Sequence, residues 1–134
     1  MGLFESRGRA IMDYEFVTEE EFLIIKLLGN AEVNERLSVK RHLATYLQGS
    51  YQKVIVDLEG LDEPEGVYIV GVLNTIKKEF QLLDGEVKLC SLEPGLYRYL
   101  EENRLDQIFD IGQSVESTKQ SFKERNNDSK GGRN

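Results

Sequence analysis

Carboxylates are concentrated in one short stretch of this chain, between a predicted buried strand and a predicted long helix. Five of them fall within nine residues, namely Asp57, Glu59, Asp62, Glu63 and Glu65. Oxygen ligands of this kind suit a hard cation such as Mg²⁺. Acidic side chains are also stabilising near a helix N-terminus, and the pair Asp62 and Glu65 has capping-box spacing. We prefer the structural interpretation, and we expect no metal ion and no cofactor.

The other residue types that could do chemistry are scarce. His42 is the only histidine and Cys90 the only cysteine, so a zinc site of nitrogen and sulfur ligands cannot form within one chain. His42 lies on a predicted helix surface, and Cys90 lies inside a predicted strand, where cysteine behaves as a small hydrophobic residue. The sequence contains neither a Gly-x-Gly-x-x-Gly motif nor a phosphate-binding loop. These features predict a protein with no catalytic residues.

The acidic stretch is held between two regular elements. An apolar run over 53–58, broken by Asp57, is typical of a strand covered on both faces. Apolar residues then recur at helical spacing as far as Leu83. We therefore expect a strand, an acidic turn and a long helix in this order, with any functional surface at the turn.

The remaining elements follow from the same periodicities. Strands are predicted over 10–18 and 22–28, joined by the turn Glu19-Glu20-Glu21, and further strands over 86–92 and 107–111. Helices are predicted over 34–48, from Pro94 with Leu96, Tyr97 and Leu100 as its apolar face, and after Ser114. The order β-β-α-β-α-β-α-β-α predicts an α/β mixed sheet, with an N-terminal antiparallel hairpin followed by parallel strands and helices packed on the sheet.

Composition and charge narrow the classes of partner. The 134 residues carry a formal net charge of -7, so a phosphate backbone would be repelled and a nucleic-acid ligand is not expected. No apolar run reaches the roughly 20 residues needed to span a bilayer. The N-terminus lacks the pattern of a signal peptide, and one cysteine cannot form an intrachain disulfide. We therefore expect a cytoplasmic protein.

The chain is expected to fold as one domain over 10–125. Residues 1–9 are expected to be flexible, and Met1 to Ser6 fits a loose N-myristoylation pattern that we interpret as a chance match. Residues 126–134 are polar, have little to bury, and are predicted to form a disordered tail.

Several segments, taken together and in order, resemble the STAS domain family of bacterial anti-sigma factor antagonists. The resemblance runs from about Ile11 to Phe122. The segment Lys53-Val-Ile-Val-Asp-Leu-Glu-Gly-Leu61 is similar to the family's strand and its Asp-Leu-Ser-Gly-Leu turn. Gly85-Glu-Val-Lys-Leu89 and Leu105-Asp-Gln-Ile-Phe-Asp-Ile111 are similar to later family segments. The resemblance implies the same mixed sheet and a protein partner.

The family's regulatory motif, Asp-Ser-Ser-Gly, corresponds to Glu65-Gly-Val-Tyr68 in an ungapped reading. Gly66 then stands where the family carries its phosphorylatable serine, and no serine or threonine occurs between Tyr51 and Asn74. In the family, phosphate on that serine weakens binding to a partner kinase or anti-sigma factor. We therefore expect no phosphorylation at Gly66 and no switch of that kind.

The leading hypothesis is a non-catalytic regulatory module that binds a protein, an anti-sigma factor of the serine-kinase type. The alternative is a structural adaptor subunit of a larger assembly or transport complex, which could self-associate as a homodimer through the strand near Ile11 to Val17. An enzyme that uses the carboxylates is the least favoured hypothesis. The predicted partner-binding residues are Asp62, Glu63, Glu65, Gly66, Val67 and Tyr68.

Overall fold

A computed structural model describes residues 12–30, 35–49, 51–62 and 66–132. The predicted flexible N-terminus, with its myristoylation-like pattern, lies outside the described residues. The strands are β1 (Met12–Glu19), β2 (Phe22–Gly29), β3 (Lys53–Asp57), β4 (Glu86–Cys90) and β5 (Asp110–Gly112). The helices are α1 (Glu35–Leu47), α2 (Gly66–Gln81), α3 (Pro94–Glu102) and α4 (Val115–Gly132), with a 3-10 turn at Leu105–Gln107.

The five strands form one mixed sheet in the order β1-β2-β3-β4-β5. β1 and β2 form an antiparallel hairpin, and each later strand pairs in parallel with its predecessor. The hairpin turns at Glu20, whose φ of 56° is left-handed. The predicted fold class is therefore confirmed, because a short turn allows only antiparallel pairing whereas helical crossovers return the chain in parallel.

The two faces of the sheet carry cores of unequal size, because side chains alternate along each strand. Val54 and Val56 point to the face covered by α1, α2 and α3, and the core there contains 18 buried hydrophobic residues among those described. Ile55 points to the opposite face, which α4 covers, and the core there contains five. The α1–α3 face is therefore the main source of hydrophobic stability.

Helix boundaries follow local signals in the sequence. Pro94 lies in the first turn of α3, where the Glu93 carboxylate accepts a hydrogen bond from the backbone N–H of Leu96 at 3.0 Å. After α2, Asp84 adopts a left-handed φ of 65° and the Gly85 N–H donates back to the Phe80 carbonyl at 2.7 Å. These contacts satisfy groups that a helix end leaves without partners.

The helix-capping prediction at Ser114 is also confirmed. Its Oγ accepts a hydrogen bond from the backbone N–H of Ser117 at 3.1 Å, and α4 begins at the following residue, Val115. This contact satisfies one of the N–H groups left free in the first turn of a helix.

The structure differs from the sequence-based expectation in two places. The strand predicted over 107–111 begins only at Asp110, because a 3-10 turn and a bend occupy the preceding residues. Tyr97, assigned to the inner face of α3, is 39% exposed. Helix α4 extends to Gly132, within the stretch after 126 for which a disordered tail stays a prediction.

No helix in the described ranges is both long enough and apolar enough to cross a membrane.

Candidate functional site

The acidic turn begins with a buried aspartate that stabilises the turn itself. Asp57 ends β3 and is 7% exposed. Its Oδ1 accepts a hydrogen bond from the backbone N–H of Glu59 at 3.1 Å, the geometry by which aspartate initiates a turn. The backbone N–H of Leu58, between these two residues, donates a hydrogen bond to the carbonyl of Cys90 on the neighbouring strand at 3.0 Å. Asp57 therefore has a structural role, as the sequence interpretation prefers.

Two backbone hydrogen bonds attach the turn to the end of β2. The N–H of Gly29 donates to the Gly60 carbonyl at 3.1 Å, and the N–H of Asp62 donates to the Gly29 carbonyl at 2.8 Å. A Cβ on Gly60 would lie 2.3 Å from a methyl carbon of Leu28 and 3.2 Å from the Leu27 carbonyl oxygen, so a larger residue here requires the Leu28 side chain to move. The turn is consequently a fixed support for whatever follows it.

The first residue of α2 is packed against α3. A Cβ on Gly66 would lie 2.4 Å from Cδ2 and 2.5 Å from Cγ of Tyr99. Real side chains do not approach this closely, so a residue other than glycine requires the Tyr99 ring to move. Position 66, predicted from the resemblance to have lost a phosphorylatable side chain, is thus closed by an aromatic ring.

The next two residues of α2 expose apolar surface. Val67 is 61% exposed and Tyr68 is 36% exposed, whereas Ile69 is fully buried in the core. Asp62, at the end of the described turn, is also exposed. Glu63 and Glu65, the other predicted contact residues, lie outside the described residues. The structure therefore brings Gly66, Val67 and Tyr68 together at the start of α2.

The residue types singled out in the sequence for possible chemistry can be located among the described residues. Among the described residues, no three His, Cys, Asp or Glu side chains come together as a metal-binding group. His42 is exposed and stacks on Tyr14, with ring centroids 4.2 Å apart. Burial raises the pKa of the Cys90 thiol from 9.0 to about 11, so this sulfur is a poor nucleophile at neutral pH.

Sequence reasoning missed Tyr99 as a component of the site. It selected Leu96, Tyr97 and Leu100 as the inner face of α3, and of these Leu96 and Leu100 are buried. Tyr99 lies three residues after Leu96, so helical spacing alone could have placed it beside that face. Its contact with Gly66 joins residues 33 positions apart, and no local pattern indicates such a contact.

Comparison with known proteins places this geometry in a family. The family model described as STAS domain matches residues 13–118. An anti-sigma factor antagonist from Mycobacterium paratuberculosis has a similar structure, with a TM-score of 0.68 at 10% identity over 84% of this chain and 94% of that one.

Two further structures share the fold at low identity. A putative anti-sigma factor antagonist from Thermotoga maritima gives a TM-score of 0.64 at 20% identity, over 81% of this chain and 92% of that one. A chain from a structure described as the stressosome, a signal integration and transduction hub, gives 0.64 at 16% identity, over 82% and 96%. At these identities the structural likeness establishes the fold. The family model matches residues 13–118, which is most of the chain, and it therefore establishes the family: the chain belongs to the STAS domain family.

Proposed function

We propose that this STAS domain is a non-catalytic regulatory module that binds a protein partner through the start of α2. The proposed contact surface, called the α2 surface below, contains Asp62, Glu63, Glu65, Gly66, Val67 and Tyr68. Its described residues, Asp62 and 66–68, follow β3, a central strand, and open α/β sheets often present ligands beyond the carboxyl ends of such strands. The resemblance points to an anti-sigma factor of the serine-kinase type as the class of partner.

One observation carries the proposal, namely the exposure of Val67 and Tyr68 at the start of α2. Val67 is 61% exposed and Tyr68 is 36% exposed, whereas Ile69, which follows them, is fully buried. The turn before them is attached to β2 as far as Asp62, by hydrogen bonds of 3.1 and 2.8 Å, and groups held in place before binding lose less conformational freedom on association. Tyrosine is a favourable contact residue, because it buries a large area and keeps a polar group.

The second part of the proposal is that binding is constitutive at this surface. The ring of Tyr99 fills the space beside Gly66, and the sequence from Tyr51 to Asn74 contains no serine or threonine. A kinase would therefore find no hydroxyl of the usual kind at the start of α2. Control would have to come from elsewhere, for example from the abundance of the protein.

The test is an affinity capture from the native cytosol, with the captured proteins identified by mass spectrometry. The captured partner is then titrated against the V67D/Y68A variant, which removes the exposed apolar area and adds a charge. We expect at least a tenfold loss of affinity, the effect of losing about 1.4 kcal/mol of binding free energy. The fold should be intact, because both side chains are exposed.

Leu82→Asp provides the matched control. Leu82 is 71% exposed and follows the other end of α2, about 24 Å away along a 16-residue helix. Like Val67→Asp, this change replaces an exposed apolar side chain with a carboxylate, and at that distance from the proposed contact it should leave the affinity unchanged. Equal affinities for wild type and V67D/Y68A would refute the placement of the contact surface.

The alternative function is a structural adaptor in a larger assembly. It is favoured by the position of β1 at an edge of the sheet among the described strands, and by the fold shared with a chain of the stressosome structure. A stable homodimer in analytical sedimentation would support this alternative, and so would scaffold subunits among the proteins captured from the cytosol. A monomer that captures only a kinase-like partner would instead support the α2 surface. For both functions we propose a cytoplasmic location, as expected from the sequence.

A further inference from the structure

The face of the sheet opposite α1–α3 is covered by a single helix, α4. Its core consists of five buried hydrophobic residues among those described, against 18 on the other face. Four of the five belong to the sheet, and they are called the α4 face: Phe22, Ile24, Ile55 and Cys90. From α4 itself, Phe122 is buried, and Val115 packs partly buried at the edge. The apolar area contributed by the described side chains of α4, residues 115–124, is therefore small.

Phe122 is the main apolar contact of α4. Its side chain is 3% exposed, and its ring lies 5.6 Å from the ring of Phe22, centroid to centroid. The ammonium group of Lys88 lies 4.6 Å from the same ring and also donates a hydrogen bond to Ser121 Oγ at 2.7 Å. Lys88 is only 4% exposed, so α4 keeps a charged group from water. Such burial costs free energy, which detachment of α4 would recover.

Ion pairs make up much of the remaining attachment. The Nζ of Lys119 on α4 donates a hydrogen bond to Oε1 of Glu19, which is 100 residues earlier in the sequence at the end of β1. The same Nζ lies 3.8 Å from Oε1 of Glu20 in the turn that follows β1. Glu116, on the same helix, is 3.6 Å away. Lys123 forms a second, longer pair with Glu20, at 3.9 Å. The glutamates are half-exposed or more, so water and salt ions can replace these contacts.

We propose that α4 detaches from the sheet by local unfolding, while the hairpin, β3–β5 and α1–α3 stay folded, and that the ion pairs of Lys119 oppose this detachment. The main core does not depend on α4, since Phe122 and Val115 belong to the smaller cluster alone. Elements with few buried apolar contacts open at lower free energy than the whole domain. Detachment uncovers the α4 face and returns Lys88 to water.

Cys90 provides a reporter for this opening. It lies on the α4 face with its side chain fully buried, in the same buried cluster as Phe122 of α4. As the only cysteine, it gives one labelling signal for the whole chain. A neutral reagent such as iodoacetamide can reach the sulfur only after α4 has moved away or the domain has unfolded.

The experiment measures the labelling rate of Cys90 in the full chain, at fixed pH, over a series of low urea concentrations. Local detachment predicts that the free energy of opening calculated from the labelling rates is smaller than the free energy of global unfolding measured by circular dichroism. It also predicts a shallower urea dependence, because less surface is exposed. Equal free energies and equal urea slopes would overturn the proposal, since labelling would then require global unfolding.

Variants separate the role of Lys119 from general destabilisation. Lys119→Met keeps the apolar stem and removes the charge, and we expect labelling about threefold to tenfold faster. The matched control is Lys40→Met, which removes a lysine paired with Glu79 at 3.5 Å on the other face and should leave the rate unchanged.

Salt gives an independent measurement of the same contacts. Raising NaCl from 0.05 to about 1 M should speed labelling in wild type and in Lys40→Met, since salt screens half-exposed pairs. It should have a clearly smaller effect in Lys119→Met. A salt response of equal size in all three proteins would refute the role given to Lys119.

Discussion

The ring of Tyr99 occupies the space in which a side chain on Gly66 would begin. A Cβ at position 66 would lie 2.4 Å from the ring, well inside van der Waals contact. This contact joins the first residue of α2 to α3, and it fixes the start of the helix that presents Val67 and Tyr68. A glycine that looks in the sequence like a lost hydroxyl is in the structure a requirement of packing.

Replacing Gly66 should therefore destabilise the fold. We expect Gly66→Ser to lower the free energy of unfolding by about 1–3 kcal/mol, the usual effect of overpacking. When Gly66→Ser is added to the Tyr99→Ala variant, the further loss should be much smaller than in wild type, because the added side chain no longer meets the ring. Urea titrations of the four proteins in this cycle give the coupling energy.

Gly95→Ala is the matched control for that cycle. It lies in the first turn of α3, and a Cβ there would lie 3.1 Å from Oε1 of Glu93, the end of a flexible side chain that can shift slightly and keep its hydrogen bond to the Leu96 N–H. We expect a change within about 0.5 kcal/mol. Additive effects of Gly66→Ser and Tyr99→Ala would contradict the packing account of Gly66.

Asp57 should prove to be a turn residue. Asp57→Ala leaves the Glu59 N–H without its acceptor at 3.1 Å, so we expect a loss of about 1–2 kcal/mol in the free energy of unfolding. Asp57→Asn keeps an oxygen acceptor and should cost less. The control is Glu59→Ala, which removes an exposed side chain and should change stability by under about 0.5 kcal/mol. Equal losses in the alanine and asparagine variants at position 57 would argue against the turn role.

Magnesium should not stabilise the protein. Asp57 accepts a hydrogen bond within the turn, and the sequence predicts that the later carboxylates stabilise the start of a helix. A ligand that binds only the folded state raises the melting temperature, so we expect the same Tm with and without millimolar Mg²⁺. A rise in Tm that disappears in the D62N/E65Q variant would instead identify a cation site at this turn.

Cys90 should make stability decline at alkaline pH. Burial raises its pKa from 9.0 to about 11 in the folded protein, so the fold favours the neutral thiol. That contribution is complete below pH 9 and is lost progressively as the pH rises from 9 through 11. Urea titrations of wild type and Cys90→Ala between pH 8 and 10.5 should show the wild type losing stability more steeply. Parallel losses in the two proteins would exclude this role for the thiol.

Local patterns in the sequence account for most of the fold. The continuous apolar run Val54-Ile55-Val56 predicts a strand buried on both faces, and β3 is buried on both. Pro94 and Ser114 mark helix starts that the structure confirms, because backbone constraint and capping act within a few residues. The short hairpin turn and the alternating strands and helices then decide which strands run antiparallel and which run parallel.

The tertiary structure alone decided which residues meet across the chain. Nothing local predicts that Tyr99 closes the space beside Gly66, or that Lys119 bonds to a glutamate 100 residues away. Tyr97 was assigned to the wrong side of α3 for the same reason, since a short helix with apolar residues on several sides does not reveal which side its neighbours cover. Periodicity fixes the conformation of a segment, whereas contact depends on how helices pack on the sheet. The sequence therefore determined the family and the fold, and packing determined which residues meet at the start of α2.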